Sequence, residues 1–231
     1  MNEPSATPAF IFDLDGTLVD SVYQHVLAWR EALERAGMQL SVWSIHRRIG
    51  MSGGLLVNAL LRETHKAITT AEAEQLQQFH AEAYRKLIGQ VRPLPGAKQL
   101  LEFLKDAGVP HAIATSGRIE SARPALEILG VDPAMPIITR DQVRYAKPDP
   151  DLFLAAAGRL GVSIHESVIV GDSVWDLLAA RRARGLGVGL LSGGYGQEEL
   201  ERAGAYRVYQ DPQDLLSHLD EIGLRVGAQP R

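Results

Sequence analysis

The sequence predicts an α/β protein, a doubly wound parallel sheet interrupted near its start by an inserted helical domain, and three observations carry that reading. From Pro93 onward, short apolar runs alternate with helical patterns, as in a parallel sheet covered on both faces. Between the first strand-like run and the next lies a helical stretch of about seventy residues, far longer than the usual βα loop of roughly 2–6. Acidic and hydroxyl side chains gather where strands end, the edge at which open parallel sheets place their ligands.

The elements follow in chain order. Ala9-Phe10-Ile11-Phe12 is continuously apolar and reads as a buried strand. The insert, residues 21–92, reads as four helices over 22–36, 42–49, 55–63 and 72–88, with Gly37 and Gly50 closing the first two. Thr69 and Glu72 have capping-box spacing, and Leu76, Phe79, Ala83 and Leu87 then recur at helical intervals. Pro93, Pro95 and Gly96 mark the return to the core, assigned to residues 1–20 and 93–231. Its further strands are expected at 111–115, 137–138, 167–171, 187–191 and 206–209. Helices are expected at 97–107, 119–129, 151–160, 174–183 and 212–219. No internal repeat, low-complexity segment or heptad pattern is present.

The 231 residues are 45% hydrophobic and 23% charged, enough apolar mass for a sizeable core. A formal net charge of −4 supplies no basic field for nucleic acid or an anionic membrane, though it permits a local pocket for a phosphorylated small molecule. There is no run of 18 apolar residues, and residues 1–8 form a short polar tail unlike a signal peptide, so a cytoplasmic protein is expected. The absence of cysteine excludes disulfides, thiolate nucleophiles and thiolate-bound metals, so any metal must be held by oxygen or histidine.

Asp13-Leu14-Asp15-Gly16-Thr17 puts two carboxylates two residues apart directly after the first strand. They would repel each other unless a cation sat between them, which points to a metal site. Asp20 or Ser21 is expected to cap the following helix. Thr115, Ser116, Gly117 and Arg118 follow the second strand and offer hydroxyls and helix-start N–H groups to a phosphate, although they would serve equally as an N-cap. Lys147, biased towards extended backbone by Pro148, could neutralise phosphate and nucleophile charge together, where a solvated surface lysine is the plain alternative. In Gly171-Asp172-Ser173-Val174-Trp175-Asp176, Asp172 sits at a strand end and Asp176 one helical turn later on the same face. Asp172 could instead be an N-cap.

In this order these motifs resemble the haloacid dehalogenase-like hydrolase superfamily over nearly the whole chain: Asp13-Leu14-Asp15-Gly16-Thr17, Thr115-Ser116, Lys147-Pro148, then Gly171-Asp172-Ser173 with Asp176. The resemblance implies a Rossmann-like core whose insert is the small helical cap of the subfamily that includes phosphoglycolate phosphatases, sugar-phosphate phosphatases and β-phosphoglucomutases. It implies Asp13 as a nucleophile that becomes an aspartyl-phosphate and Asp15 as acid to the leaving group and base to water. It further implies Mg²⁺ held by an Asp13 side-chain oxygen, the Asp15 main-chain carbonyl and Asp172, with Asp176 orienting the ion's water and Thr115, Ser116 and Lys147 holding the phosphate.

Within that family the residues favour phosphate-ester hydrolysis of a small phosphorylated metabolite. True dehalogenases lack Mg²⁺ and typically the second acid, whereas Asp15 and Asp172 are both present. Phosphonate cleavage uses a cap lysine, and neither Lys66 nor Lys86 falls in a matching motif. β-Phosphoglucomutase chemistry is the alternative, because His25 lies twelve residues after Asp13, Lys86 falls near a substrate-contacting cap lysine, and Gly50-Met51-Ser52 resembles the mutase loop. The arginine just beyond that loop is replaced by Gly53, removing a bidentate partner for a second phosphate, although Arg47, Arg48 or Arg62 could compensate. His25 reads evenly as a helix packing residue or a catalytic aid. A non-catalytic binding protein would be expected to have lost a metal or phosphate group, and none is missing. His25, Arg48, Gly50, Lys86 and Arg118 are the candidate substrate and cap residues.

Overall fold

The computed structural model describes residues 7–51, 53–64 and 69–225. Ala9–Phe12 (β1) is wholly buried and lies inside a six-stranded parallel sheet. The other strands of that sheet are His111–Ala114 (β4), Ile137–Ile138 (β5), Ser167–Gly171 (β6), Leu186–Leu190 (β7) and Arg207–Tyr209 (β8). Val19–Asp20 (β2) and Arg92–Pro93 (β3) instead form a separate antiparallel ribbon where the insert leaves and rejoins the core. The sheet order is β5-β4-β1-β6-β7-β8, so the chain starts centrally, winds out one way, and returns to wind out the other. The reversal point lies beside β1, and its carboxyl edge is where Asp13 and Asp15 emerge.

The helices between β2 and β3 are Val22–Arg35 (α1), Val42–His46 (α2), Gly53–Thr64 (α3) and Thr70–Leu87 (α4). Those of the core are Ala97–Asp106 (α5), Ile119–Leu129 (α6), Asp151–Leu160 (α7), Val174–Ala183 (α8), Gln197–Ala203 (α9) and Pro212–Ser217 (α10). Alternation along β1 sends Phe10 and Phe12 into one apolar layer with α5, α6 and α10, and Ile11 into another with α7 and α8. The insert has its own cluster, in which Val26, Trp29 and Leu33 of α1 pack with Ile45, Leu56 and Leu76. Among the described residues no helix is long and apolar enough to cross a membrane.

Three sequence expectations are adjusted. The helix expected over 42–49 stops at His46, because the Arg47 carbonyl accepts from two core side chains, Trp175 Nε1 at 3.2 Å and Tyr195 Oη at 3.0 Å. Tight turns then carry the chain to Gly50, whose φ of +94° needs glycine. The helix α9 and the β2–β3 ribbon had no expected counterpart. Ser21 stands at the N-cap of α1, but its hydroxyl makes no capping bond and serves Asp15 instead. Ser52 and Lys66 lie outside the described residues. The Thr69–Glu72 capping box forms as expected.

Candidate active site

β1 delivers Asp13 to the centre of the carboxyl edge. Its N–H donates to the Val170 carbonyl at 2.9 Å, extending the sheet register one residue past the strand. The chain then turns at Gly16, where φ is +80° and a Cβ would lie 2.4 Å from Asp172 Oδ2, so only glycine fits. Thr17 Oγ1, fully buried in this turn, donates to Asp172 Oδ1 at 2.9 Å and ties the end of β1 to the end of β6.

Lys147 is the most informative side chain here, because it is fully buried. Its ammonium contacts Asp13 Oδ1 and lies 2.8 Å from Asp176 Oδ1, and the Phe153 ring lies 5.1 Å from Nζ. The solvated alternative for this lysine is thereby excluded. Burial works against its charge, but Asp13 and Asp176 reverse that effect and raise its pKa.

Ser173, rather than Asp172, is the N-cap of α8. Its hydroxyl and Asp176 Oδ2 form a reciprocal capping box, with Ser173 N–H donating to that oxygen at 3.1 Å. Asp176 is therefore held by Ser173 on one oxygen and by Lys147 on the other. Asp172 is left at the mouth of β6, with the Gly193 backbone so close that a Cβ there would lie 1.8 Å from Asp172 Oδ2.

Asp13, Asp172 and Asp176 are all buried and offer carboxylate oxygens within 4.8 Å of one another. Fully ionised, three carboxylates against one ammonium leave a net charge of −2 in a desolvated space. Burial pushes the Asp13 carboxyl up to about 7, with Lys147 pulling it back and Asp176 and Asp15 adding to the rise. Burial, then Asp176 and Asp13, hold Asp172 well above the usual carboxylate range despite the Thr17 hydroxyl. A cation would relieve this repulsion, and an all-oxygen donor set suits a hard divalent ion.

Asp15 differs from these. Burial pushes its carboxyl up, but the His25 ring and the Ser21 hydroxyl outweigh that and hold it below the ordinary value. Ser21 Oγ donates to Asp15 Oδ1 at 2.6 Å, and His25 Nε2 lies 3.2 Å from the same oxygen. The other His25 nitrogen faces His80 Nε2 at 3.2 Å, a contact that sequence spacing did not single out.

At the end of β4 the Thr115 hydroxyl accepts from Gly117 N–H at 3.0 Å, while Ser116 Oγ is buried with no hydrogen-bond partner among the described residues. An orphaned hydroxyl there is available to a phosphoryl oxygen. Arg118 and Lys86 are not gathered to the carboxylates: Arg118 is exposed beside Asp141, and Lys86 is exposed on Glu31. Arg48 reaches back 3.4 Å to the Ser44 carbonyl. Gly50 approaches α8 so closely that a Cβ would lie 2.7 Å from Ser173 Oγ. Beside it the insert is fastened to the core, with His46 Nε2 2.8 Å from the Gly193 carbonyl and the Arg47 guanidinium on the Glu199 carboxylate.

Residues 7–184 match the family model described as haloacid dehalogenase-like hydrolase. The chain belongs to that family. This haloacid dehalogenase-like hydrolase is 33% identical to a phosphoglycolate phosphatase of Rhodospirillum rubrum, with 96% of each chain covered. It is 31% identical to a β-phosphoglucomutase of Bacillus subtilis, covering 91% of this chain and 92% of that one. The crystal structure of a hydrolase from Pseudomonas syringae superposes with a TM-score of 0.91 at 57% identity, covering 93% of this chain and 99% of its own.

Proposed function

We propose that the protein is a Mg²⁺-dependent phosphatase acting on a small phosphorylated metabolite, with residues 21–92 as a cap over the site. The observation that carries this reading is the buried Lys147 bridging Asp13 and Asp176, with Asp15 held apart by Ser21 and His25. The two carboxyl groups thus have separate partners and can take separate roles; in the metal-free protein Asp13 is raised and Asp15 lowered, so a bound cation would be what keeps Asp13 ionised as the nucleophile. The phosphoglycolate phosphatase relative is in keeping with it.

In the proposed reaction an Asp13 oxygen attacks phosphorus, and a bond from Asp13 to phosphorus forms as the bond from phosphorus to the ester oxygen breaks. Asp15, held ionised by Ser21 and His25 in the free protein, must first take up a proton; it gives that proton to the departing oxygen, then takes a proton from the water that attacks the phosphoaspartate, releasing phosphate and restoring Asp13. Lys147, Thr115 and Ser116 bear on the phosphoryl oxygens. Asp13, the Asp15 carbonyl and Asp172 would hold Mg²⁺, which neutralises phosphoryl charge when bound, while Asp176 keeps Lys147 and the start of α8 in place.

A phosphate-release screen over phosphoglycolate, sugar phosphates and nucleotides, with and without Mg²⁺, tests this. Release that requires Mg²⁺ supports the proposal, and its absence from every ester removes it. The β-phosphoglucomutase relative and the His25–Asp15 contact make conversion of glucose 1-phosphate to glucose 6-phosphate the second assay, in which isomerisation without net release assigns a mutase.

Replacing Asp172 by Asn should separate stability from metal binding. The amide oxygen still accepts from Thr17, but the buried charge is gone, so the metal-free variant should melt higher, by roughly 2–4 °C for each kcal/mol of repulsion relieved. The Mg²⁺ concentration giving half-maximal activity should rise by about tenfold or more. Thermal melts in chelator and a Mg²⁺ titration check both halves, and an unchanged half-saturation counts against Asp172 as a ligand.

A further inference from the structure

α1 and α4 meet in a stack of flat side chains that ends at Asp15. The His25 ring lies 3.9 Å from the Tyr84 ring at 9° between planes, and the His80 ring lies 4.2 Å from Trp29 at 17°. Within this stack the two imidazoles are joined through nitrogen, His25 Nδ1 to His80 Nε2 at 3.2 Å, and His25 Nε2 then meets Asp15 Oδ1 at 3.2 Å. Burial and the neighbouring His25 hold His80 well below the ordinary imidazole range, so its ring is neutral and carries one N–H and one lone pair. Whichever tautomer it takes, one nitrogen of His25 faces Asp15 and the other faces His80 on α4.

We infer that His80 is a positioning residue: it fixes the His25 ring, and through it the Asp15 carboxyl, at the orientation from which Asp15 protonates the leaving oxygen. The inference rests on the proposed role of Asp15. Packing alone does not require a histidine here, because a phenyl ring would satisfy the stack against Trp29 equally well. What only a nitrogen supplies is the bond to His25. Since Ser21 and His25 both act on Asp15 Oδ1, loss of the His80 support leaves that oxygen held mainly from one side.

The test compares single-turnover release of the alcohol from two esters, which reports the phosphoryl-transfer step alone. Glycerol phosphate has a leaving group that must be protonated, whereas 4-nitrophenolate departs from 4-nitrophenyl phosphate without a proton. In His80→Phe the alkyl ester should slow about tenfold and the aryl ester about twofold or less, a fraction of the ~10²–10⁴ that general acid catalysis contributes. His80→Gln, whose amide reaches the Nε2 position, should recover most of the alkyl rate. An equal fall for both esters, or no change for either, overturns the inference. Asp15→Asn serves as the reference: if it slows both esters alike, the reading of Asp15 itself fails, whereas selective slowing there without it in His80→Phe removes only the role of His80. Should His80→Phe lose its native circular dichroism, His80→Asn, polar but too short to reach His25, takes its place with the same expected selectivity.

Discussion

Asp13→Asn should abolish turnover, by about four orders of magnitude or more, as removal of a covalent nucleophile does. The amide cannot attack phosphorus, and it withdraws one of the two carboxylates, Asp13 and Asp172, proposed to hold the metal. The fold should survive, because the substitution keeps the side chain's shape and removes a buried charge whose carboxyl is already pushed up to about 7. Lys147 retains Asp176 as its counterion, so the ammonium is not stranded. Circular dichroism and a melt show whether the protein is intact, and a sensitive phosphate-release assay reads the activity. Mg²⁺-dependent turnover above a trace in folded protein would place the nucleophile elsewhere.

The strand ends carrying Asp13, Thr115 and Asp172 were legible because parallel strands bury both faces and leave continuous apolar runs, so a polar residue stands out where each run stops. The order of the strands was not legible, since β5 has only two residues and nothing in its side chains says which neighbour it pairs with. The seven-residue α9 was missed for a related reason: it is too short to show a period, and it follows the glycine-rich Gly193-Gly194-Tyr195-Gly196 loop, which reads as irregular chain. In the site, local spacing identified the carboxylates but not their partners. Ser21 looked like a helix cap because its sequence position is that of one, and only the turn that pairs Asp15 with Val19 brings its hydroxyl to Asp15. His80 and His46 had no local signal, being defined by contacts across 55 and 147 residues. Lys86 carried a signal by alignment alone. The neighbouring turn of α4 supplies His80 to His25, and Lys86 faces Glu31 at the surface.

Lys147→Met should be the most destabilising single change in the site, and its effect should depend on pH in a way that identifies the cause. Methionine has a comparable length and can still pack on Phe153, so lost volume is not the issue. What is lost is the counterion of two buried carboxylates, and breaking such an arrangement from one side costs about 3–5 kcal/mol. In the metal-free wild-type protein the Asp13 pKa is raised from 3.8 to about 7 in the folded state, so this group lowers stability progressively as pH rises from about 4 to 7 and no further above that. Lys147 is what holds the Asp13 pKa down to that value against burial. Without it the folded pKa lies higher, so the variant goes on losing stability above pH 7 where the wild type has levelled off. The stability gap between the two should therefore be wider at pH 8.5 than at pH 6, read by urea unfolding in chelator at both values. Activity should fall by about 10²–10³ for every phosphate ester alike, because in the proposed reaction the ammonium serves the phosphoryl group that all of them share. A gap that stays constant with pH would mean that the ammonium does not govern Asp13, and selective loss towards one class of ester would place Lys147 with the leaving group instead of the phosphate.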